Sequence, residues 1–226
     1  MSNVWDTLIE IRDTFINEFN KTGTEVFESG MEQFNKDNWI NRTWNSTAYR
    51  RAHLDVVDAR ATKGLLMMHC CVFPHTHNSA PIFGFDVIAG KNKITGCFYD
   101  YSPTIDKNHP LCDWFAHEAA QLEWIKSRKL PEWATRIFSS SIIAAGNVSN
   151  EDELEQITNM AKEGIAVYLS SVSDTNNTVV DCSKEQNYYC ENQKQNPHTP
   201  KVMVSLGLSE ADVQMFVQEC LFPEIK

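Results

Sequence analysis

Seven cysteines are present, yet no two of them form a C-x-x-C pair. That spacing is the usual mark of a structural zinc site, an iron–sulfur cluster or a dithiol redox centre, so none of these is supported. The odd count, with Cys70 and Cys71 adjacent, argues against a disulfide framework and fits a cytosolic protein with reduced thiols. No apolar run approaches the length of a membrane span. The start of the chain, Met1 to Phe19, carries Asp6, Glu10 and Asp13, whereas a signal peptide needs a basic beginning and an unbroken apolar stretch. The sequence also lacks G-x-G-x-x-G after a strand, G-x-x-x-x-G-K-S/T, H-E-x-x-H and G-x-S-x-G. Nicotinamide, flavin and nucleotide sites of the common kinds are therefore unsupported. Positive charge is scarce too: 20 Lys and Arg face 30 Asp and Glu, for a net charge of −10. Such a chain has no general attraction for nucleic acid or an anionic membrane, and an acidic partner would have to find a local basic patch.

The 226 residues are 42% apolar and 11% aromatic, enough for a sizeable core. The length fits one large domain or two small ones. With no repeat, linker or low-complexity tract, residues 1–226 read as a single domain. Val4, Leu8, Ile11, Phe15 and Phe19 recur at helical spacing. Strands are expected over Trp39–Trp44, Ala52–Val57, Leu65–Phe73, Ile82–Ile88 and Lys93–Tyr101. Turn signals at Lys63-Gly64, Pro74–Pro81 and Ala89–Asn92 separate them, which implies antiparallel pairing. Helices are expected over Pro110–Lys126, from an Asn150 cap to Leu169, over Ser183–Gln195 and over Ser209–Phe222. Ser173–Thr178 reads as a turn, Asn196–Pro200 as a loop and Lys201–Leu206 as a short segment. Helix, strands, then helices describe an α+β fold with an antiparallel sheet between helical layers.

Residues His53 to Pro103 carry the candidate chemistry. Alternate strand residues share a face, so His53 and Asp55 lie together. His69 sits inside the apolar run Leu65–Phe73, and Asp86 inside Ile82–Ile88. A lone His on an apolar strand is usually a hydrogen-bonded core residue. Asp55 faces either a cleft or water, since Arg51 and Asp58 beside it are solvated types. Asp86 resists the plain reading, because a buried carboxylate must be paired or kept protonated. His69 and Asp86 on neighbouring strands suggest a coupled acid–base site with an unknown substrate.

The strings His69-Cys-Cys-Val-Phe-Pro74, Pro81-Ile-Phe-Gly-Phe-Asp-Val-Ile-Ala-Gly90 and Tyr99-Asp-Tyr-Ser-Pro103 resemble the ferredoxin-dependent bilin reductases. The branch they are most similar to holds the phycocyanobilin formers and their phage-encoded relatives. Arg128-Lys-Leu-Pro-Glu-Trp133, Tyr189-Cys190, Gln195-Asn-Pro-His-Thr199 and Leu221-Phe222 continue the likeness, which covers nearly everything after Tyr49. The resemblance implies a three-layer α/β/α sandwich that binds biliverdin IXα between the sheet and the C-terminal helices. It implies no bound flavin or metal, a monomer, and residence in cyanobacterial or phage-infected host cytosol. Electrons would come singly from a reduced 2Fe–2S ferredoxin, and the protein would position the tetrapyrrole and supply protons.

By position, Asp86 matches the central aspartate that protonates the substrate. His69 matches the histidine that binds the D-ring lactam and shares a proton with that aspartate, so the pair would titrate as a unit. His53 matches a supporting histidine. Arg128 fits a propionate anchor, where a guanidinium fork suits a carboxylate. Thr95 and His198 fall at other propionate-side positions, although His198 replaces a lysine. Trp133 matches an aromatic near the bilin, with a structural tryptophan an equal reading. Asn196 falls where phycoerythrobilin formers carry aspartate and phycocyanobilin formers asparagine. Asp55 stands where phycocyanobilin formers hold a glutamate that protonates the D-ring vinyl group; here the acid is one methylene shorter. The expected product is therefore phycoerythrobilin, through 15,16-dihydrobiliverdin, with phycocyanobilin as the competitor. A bilin carrier or lyase using the same pocket without reduction is the reading from another class; an unrelated α+β ligand-binding protein would require the motif match to be accidental. Lys63, Lys91, Lys93, Lys126, Lys129 and Lys201 are candidates for docking acidic ferredoxin, though each alone reads as a solvated surface lysine.

Overall fold

The structure is a computed structural model that describes residues 4–27, 30–173 and 180–226. Helix α1 (Val4–Thr22) buries the stripe Val4, Leu8, Ile11, Phe15 and Phe19, as its spacing predicts. Among the described residues, one sheet follows: β1 (Thr24–Val26), β2 (Trp39–Asn45), β3 (Tyr49–Ala59), β4 (Leu65–Pro74), β5 (Ile82–Gly90), β6 (Ile94–Ser102) and β7 (Ile143–Ala145). The strands lie in sequence order, each antiparallel to the next. The short connections between β2 and β6 leave each strand nowhere to pair but beside its predecessor. A short helix α2 (Arg60–Lys63) turns β3 into β4, ending on Gly64 at φ 65°, a left-handed conformation glycine adopts without strain.

Helices cover both faces. On one side α1, α3 (Pro110–Ala119) and α5 (Glu151–Ser171) pack against Phe83, Phe85, Tyr99 and Tyr101. Phe15 meets Phe83 and Phe85 edge-on at 5.8 and 5.4 Å. Gly164 of α5 lets this layer close: a Cβ there would stand 1.9 Å from the Tyr99 hydroxyl. On the other side lie α4 (Glu132–Thr135), α6 (Ser183–Gln193), α7 (His198–Ser205) and α8 (Glu210–Met215), which runs into a π-helical turn, Phe216–Leu221. A 3-10 turn, Glu32–Phe34, joins them. Their buried residues, among them Phe34, Tyr189, Met203, Val213 and Phe216, pack with Val57, Cys71 and Phe73 of the sheet. This is the expected three-layer α+β sandwich.

Several boundaries differ from the sequence expectation. The helix from Pro110 stops at Ala119, not Lys126. Beyond it, Leu122 and Trp124 fold back onto the core, and the amides of Glu123 and Ile125 are taken by Gln156 Oε1 (3.2 Å) and Glu153 Oε1 (2.8 Å) of α5. Side chains of a distant helix thus replace the next helical turn. Asn150 caps α5 as predicted, accepting from the Glu153 amide at 2.8 Å. The expected loop Asn196–Pro200 is half helix: α7 begins at His198 and carries Pro200 in its first turn, where a missing N–H is harmless. The helix from Ser209 leaves α geometry at Phe216. The short elements β1, β7, α2 and α4 lack the length to show a period. Residues 174–178 of the predicted turn from Ser173 lie outside the described residues.

Candidate active site

Antiparallel register places Asn41, Asp55, His69, Asp86 and Phe98 side by side across β2 to β6. Direct cross-strand neighbours point to the same face, so these side chains form one row. The next row along is Thr43, His53, Cys71, Gly84 and Asp100. Both rows face α6 to α8. Asp55 and His53 are buried, 4% and 0% exposed, whereas His69 and Asp86 are half-buried.

The electrostatics follow from that placement. Burial pushes the Asp86 carboxyl up to about 7. Asp55 also reaches about 7, raised by burial and the Asp86 charge and held back by a hydrogen bond from Trp39 Nε1. Burial and the Arg51 guanidinium lower His69 to about 4 and hold His53 well below its ordinary value. Burial thus favours neutral imidazoles and protonated carboxyls along these rows. Asn41 Nδ2 donates to Cys220 Sγ (3.7 Å), which leaves its Oδ1 to accept from His53 Nε2 at 2.5 Å. The Nδ1 atoms of His53 and His69 are buried without a partner among the described residues. Phe222 meets the His69 ring edge-on at 5.3 Å.

Two expectations are settled here. Asp55 faces the cleft side and not water. Arg51 is not solvated: it is 6% exposed and acts on both histidines. Asp58 is partly exposed and pairs with Arg60 at 2.6 Å.

The remaining candidates occupy separate places. Arg128 is exposed, lies over Gly96 on this face, and donates to the Thr95 carbonyl. The Thr95 hydroxyl donates to Ile88 O at 2.9 Å, so Thr95 and Arg128 stand together at one end of the sheet. Trp133 is half-buried, 6.3 Å from Phe138. Asn196 and His198 sit together at the start of α7, the Asn196 side chain accepting from the exposed His198's amide at 3.0 Å. A cavity of about 840 Å³ between α3, α6 and residues 135–141 is lined by Phe138 and Tyr189; Asp86 is not among its walls.

Residues to which the sequence assigns no role support the rows. Trp39 and Asn41 hold Asp55 and His53. Tyr189 of α6 reaches over Gly84, where a Cβ would stand 3.0 Å from its hydroxyl, and that hydroxyl accepts from Gln193 Nε2 at 2.8 Å. Asp100, 1% exposed and pushed up to about 6 by burial, accepts from Ser102 Oγ (2.7 Å), Ser139 N (2.9 Å) and Ser139 Oγ (2.5 Å). Its place in the apolar strand Tyr99-Asp-Tyr101 is the same signal that singles out Asp86. Its three donors make it a structural tie between β6 and the Ser139 loop. No group of three His, Cys, Asp or Glu side chains forms a metal site among the described residues.

The chain that carries this row of carboxyls and imidazoles on one face of an antiparallel sheet has known relatives. The profile of the ferredoxin-dependent bilin reductases fits residues 3–223, and the chain belongs to that family of oxidoreductases. It is similar to phycocyanobilin:ferredoxin oxidoreductase of Synechococcus elongatus, 29% identical over 169 residues, covering 72% of this chain and 67% of that one. The Gloeobacter violaceus protein of the same name is 24% identical over 204 residues, covering 87% and 78%. Among solved structures, PcyX is 39% identical with a TM-score of 0.72, covering 97% of this chain and 99% of the other. Tomato phytochromobilin synthase in complex with biliverdin shares the fold at 15% identity and a TM-score of 0.69, covering 94% and 81%. No helix among the described residues is long and apolar enough to cross a membrane.

Proposed function

We propose that this single-domain protein reduces biliverdin IXα to phycoerythrobilin in two two-electron stages, with 15,16-dihydrobiliverdin between them. The observation that supports this reading best is the row Asp55, His69, Asp86, with two carboxyls near 7 beside a neutral imidazole. Each stage takes two electrons, one from each of two reduced ferredoxins, and two protons. A carboxylic acid still protonated near neutral pH supplies those protons as a general acid. Half-buried Asp86 is the donor that solvent can reload. The unpaired Nδ1 of neutral His69 is free to meet a polar group of the bilin. Arg128, with Thr95 beside it, anchors a propionate at the sheet's end, and Asn196 and His198 approach from the helical layer. Trp133 lies against the Phe138 side.

Asp55 is buried, one methylene shorter than glutamate and tied back by Trp39, which keeps it from the D-ring vinyl group. That favours phycoerythrobilin over phycocyanobilin. Lys63, Lys91 and Lys93 flank turns that adjoin through the Leu65–Gly90 pair, and Lys126 and Lys129 flank Arg128; all are exposed. In this reading these five dock the acidic 2Fe–2S ferredoxin close to the propionate end; Lys201 stands on α7. The test is anaerobic turnover of biliverdin with ferredoxin and its reductase, followed by separation of the bilins. Phycoerythrobilin as main product is expected. Phycocyanobilin would overturn the regiochemistry, and bound biliverdin without a spectral change on adding reduced ferredoxin would mean a carrier.

A further inference from the structure

Asp55 has one hydrogen-bond donor among the described residues, the indole of Trp39. Its direct cross-strand neighbour, Asn41, is committed to His53 and Cys220. Trp39 is 5% exposed, and its ring is clamped by Phe34 at 5.9 Å and Phe216 at 5.2 Å, which touch each other at 4.8 Å. The clamp comes from the 3-10 turn and the π-helical turn, so two otherwise separate elements fix the direction of a single N–H. A π turn interrupting a helix is often found at functional sites.

We propose that Trp39 is the positioning residue for Asp55: its N–H occupies Oδ1, so the acidic proton is carried on Oδ2 and the carboxyl is held in one orientation. An indole N–H can only donate. When Asp55 is protonated, the hydrogen favours the oxygen that Trp39 does not touch, because a carbonyl oxygen accepts that bond better than a hydroxyl oxygen. When it is ionised, the same N–H stabilises the anion, opposing burial and the Asp86 charge. The charged and titratable groups facing Asp55 are Asp86 on β5, His69 on β4, His53 and Arg51 on its own strand, and Cys220 on the π-helical turn. Glu32 and Glu219 of the covering turns are exposed to solvent and outside this set. None of these groups is hydrogen-bonded to Asp55 among the described residues, whereas Trp39's N–H is aimed at one particular oxygen.

This inference rests on the role proposed for Asp55, and its test is separable from that role. Trp39→Phe keeps an aromatic ring between Phe34 and Phe216 and deletes the donor. The Asp55 carboxyl band is first assigned by infrared difference between the bilin-free protein and Asp55→Asn. Its titration midpoint is expected to rise by about one pH unit in Trp39→Phe, because a hydrogen bond to the anion is lost. The alkaline limb of the turnover profile should move the same way. Phe216→Leu, which keeps the donor but loosens the clamp, should give a smaller rise and serves if Trp39→Phe does not fold. An unshifted midpoint in whichever variant folds overturns the proposal. If Asp55→Asn leaves the product unaltered while the midpoint still shifts, the tether stands and the catalytic role of Asp55 falls.

Discussion

The same strands present two unlike surfaces. Toward α1, α3 and α5, β5 and β6 offer Phe83, Phe85, Tyr99 and Tyr101, which meet tilted or edge-on at centroid distances of 5.2 to 6.0 Å. Toward α6 to α8, the residues between them are Gly84, Asp86, Phe98 and Asp100. One face has removed its aromatic area from water, and its polar groups are tyrosine hydroxyls, those of Tyr101 and Tyr168 donating to backbone carbonyls. The other face keeps carboxyls and imidazole nitrogens where water is scarce, which raises the energy of their charged forms. Alternation lets a single strand do both, because successive side chains never compete for the same environment. The aromatic face holds the backbone still, and that stillness allows the polar face to remain under-paired.

The contrast can be broken from either side. The largest effect expected is on stability. Phe83→Ala empties a site with 0% exposure that touches Phe15, Tyr99, Tyr101 and Tyr168, and should destabilise by about 3–5 kcal/mol in urea unfolding, with turnover per folded molecule unchanged. Next is the pH dependence of Asp55. Its folded-state value of about 7 lies above the ordinary 3.8, so the native protein holds that proton between these limits and loses stability as pH rises through them. Relative to wild type, Asp55→Asn should therefore gain stability from pH 4 to pH 8, approaching ~4 kcal/mol. His53 and His69, lowered in the folded state, work in the opposite sense, contributing stability that is lost as pH falls below about 6. They cancel in the mutant-minus-wild-type difference, which unfolding at several pH values would measure. The third effect is catalytic. Asp86→Asn should slow bilin reduction by about 100-fold or more, worth roughly 3 kcal/mol, without lowering the melting temperature. A variant that melted early would place Asp86 with the stabilising face.

Much of this division was legible beforehand. The α1 stripe, the strands of the central sheet and the Asn150 cap follow from period and capping chemistry alone. Asp86 and His69 stand out because a carboxylate and an imidazole inside apolar runs demand an explanation. What the sequence does not display is who lies opposite whom. That Asp55, His69 and Asp86 share a row depends on register, which turn lengths and long-range packing decide. Arg51 looked solvated because arginine usually is; its burial depends on neighbours far away in the chain. Trp39 read as one more aromatic in a strand, since nothing local says where an indole N–H points. The end of α3 is hidden in the sequence for a similar reason, as Gln156 and Glu153 of a different helix take the amides of Glu123 and Ile125 beyond it.

The sequential strand order makes the proton-handling row a parity condition on the chain. Asp55, His69 and Asp86 meet only while each sits an even number of steps from the other inward residues of its own strand, as His69 does from Met67 and Cys71. Deleting one residue within β4 would invert the facing of the part that slips past its partners; where that part includes His69, it turns toward the aromatic layer and Met68 or Cys70 enters the row. Drift in this protein is thus constrained less by which residues occupy the strands than by counting. Length changes are tolerable in the loops and ruinous by single steps between them.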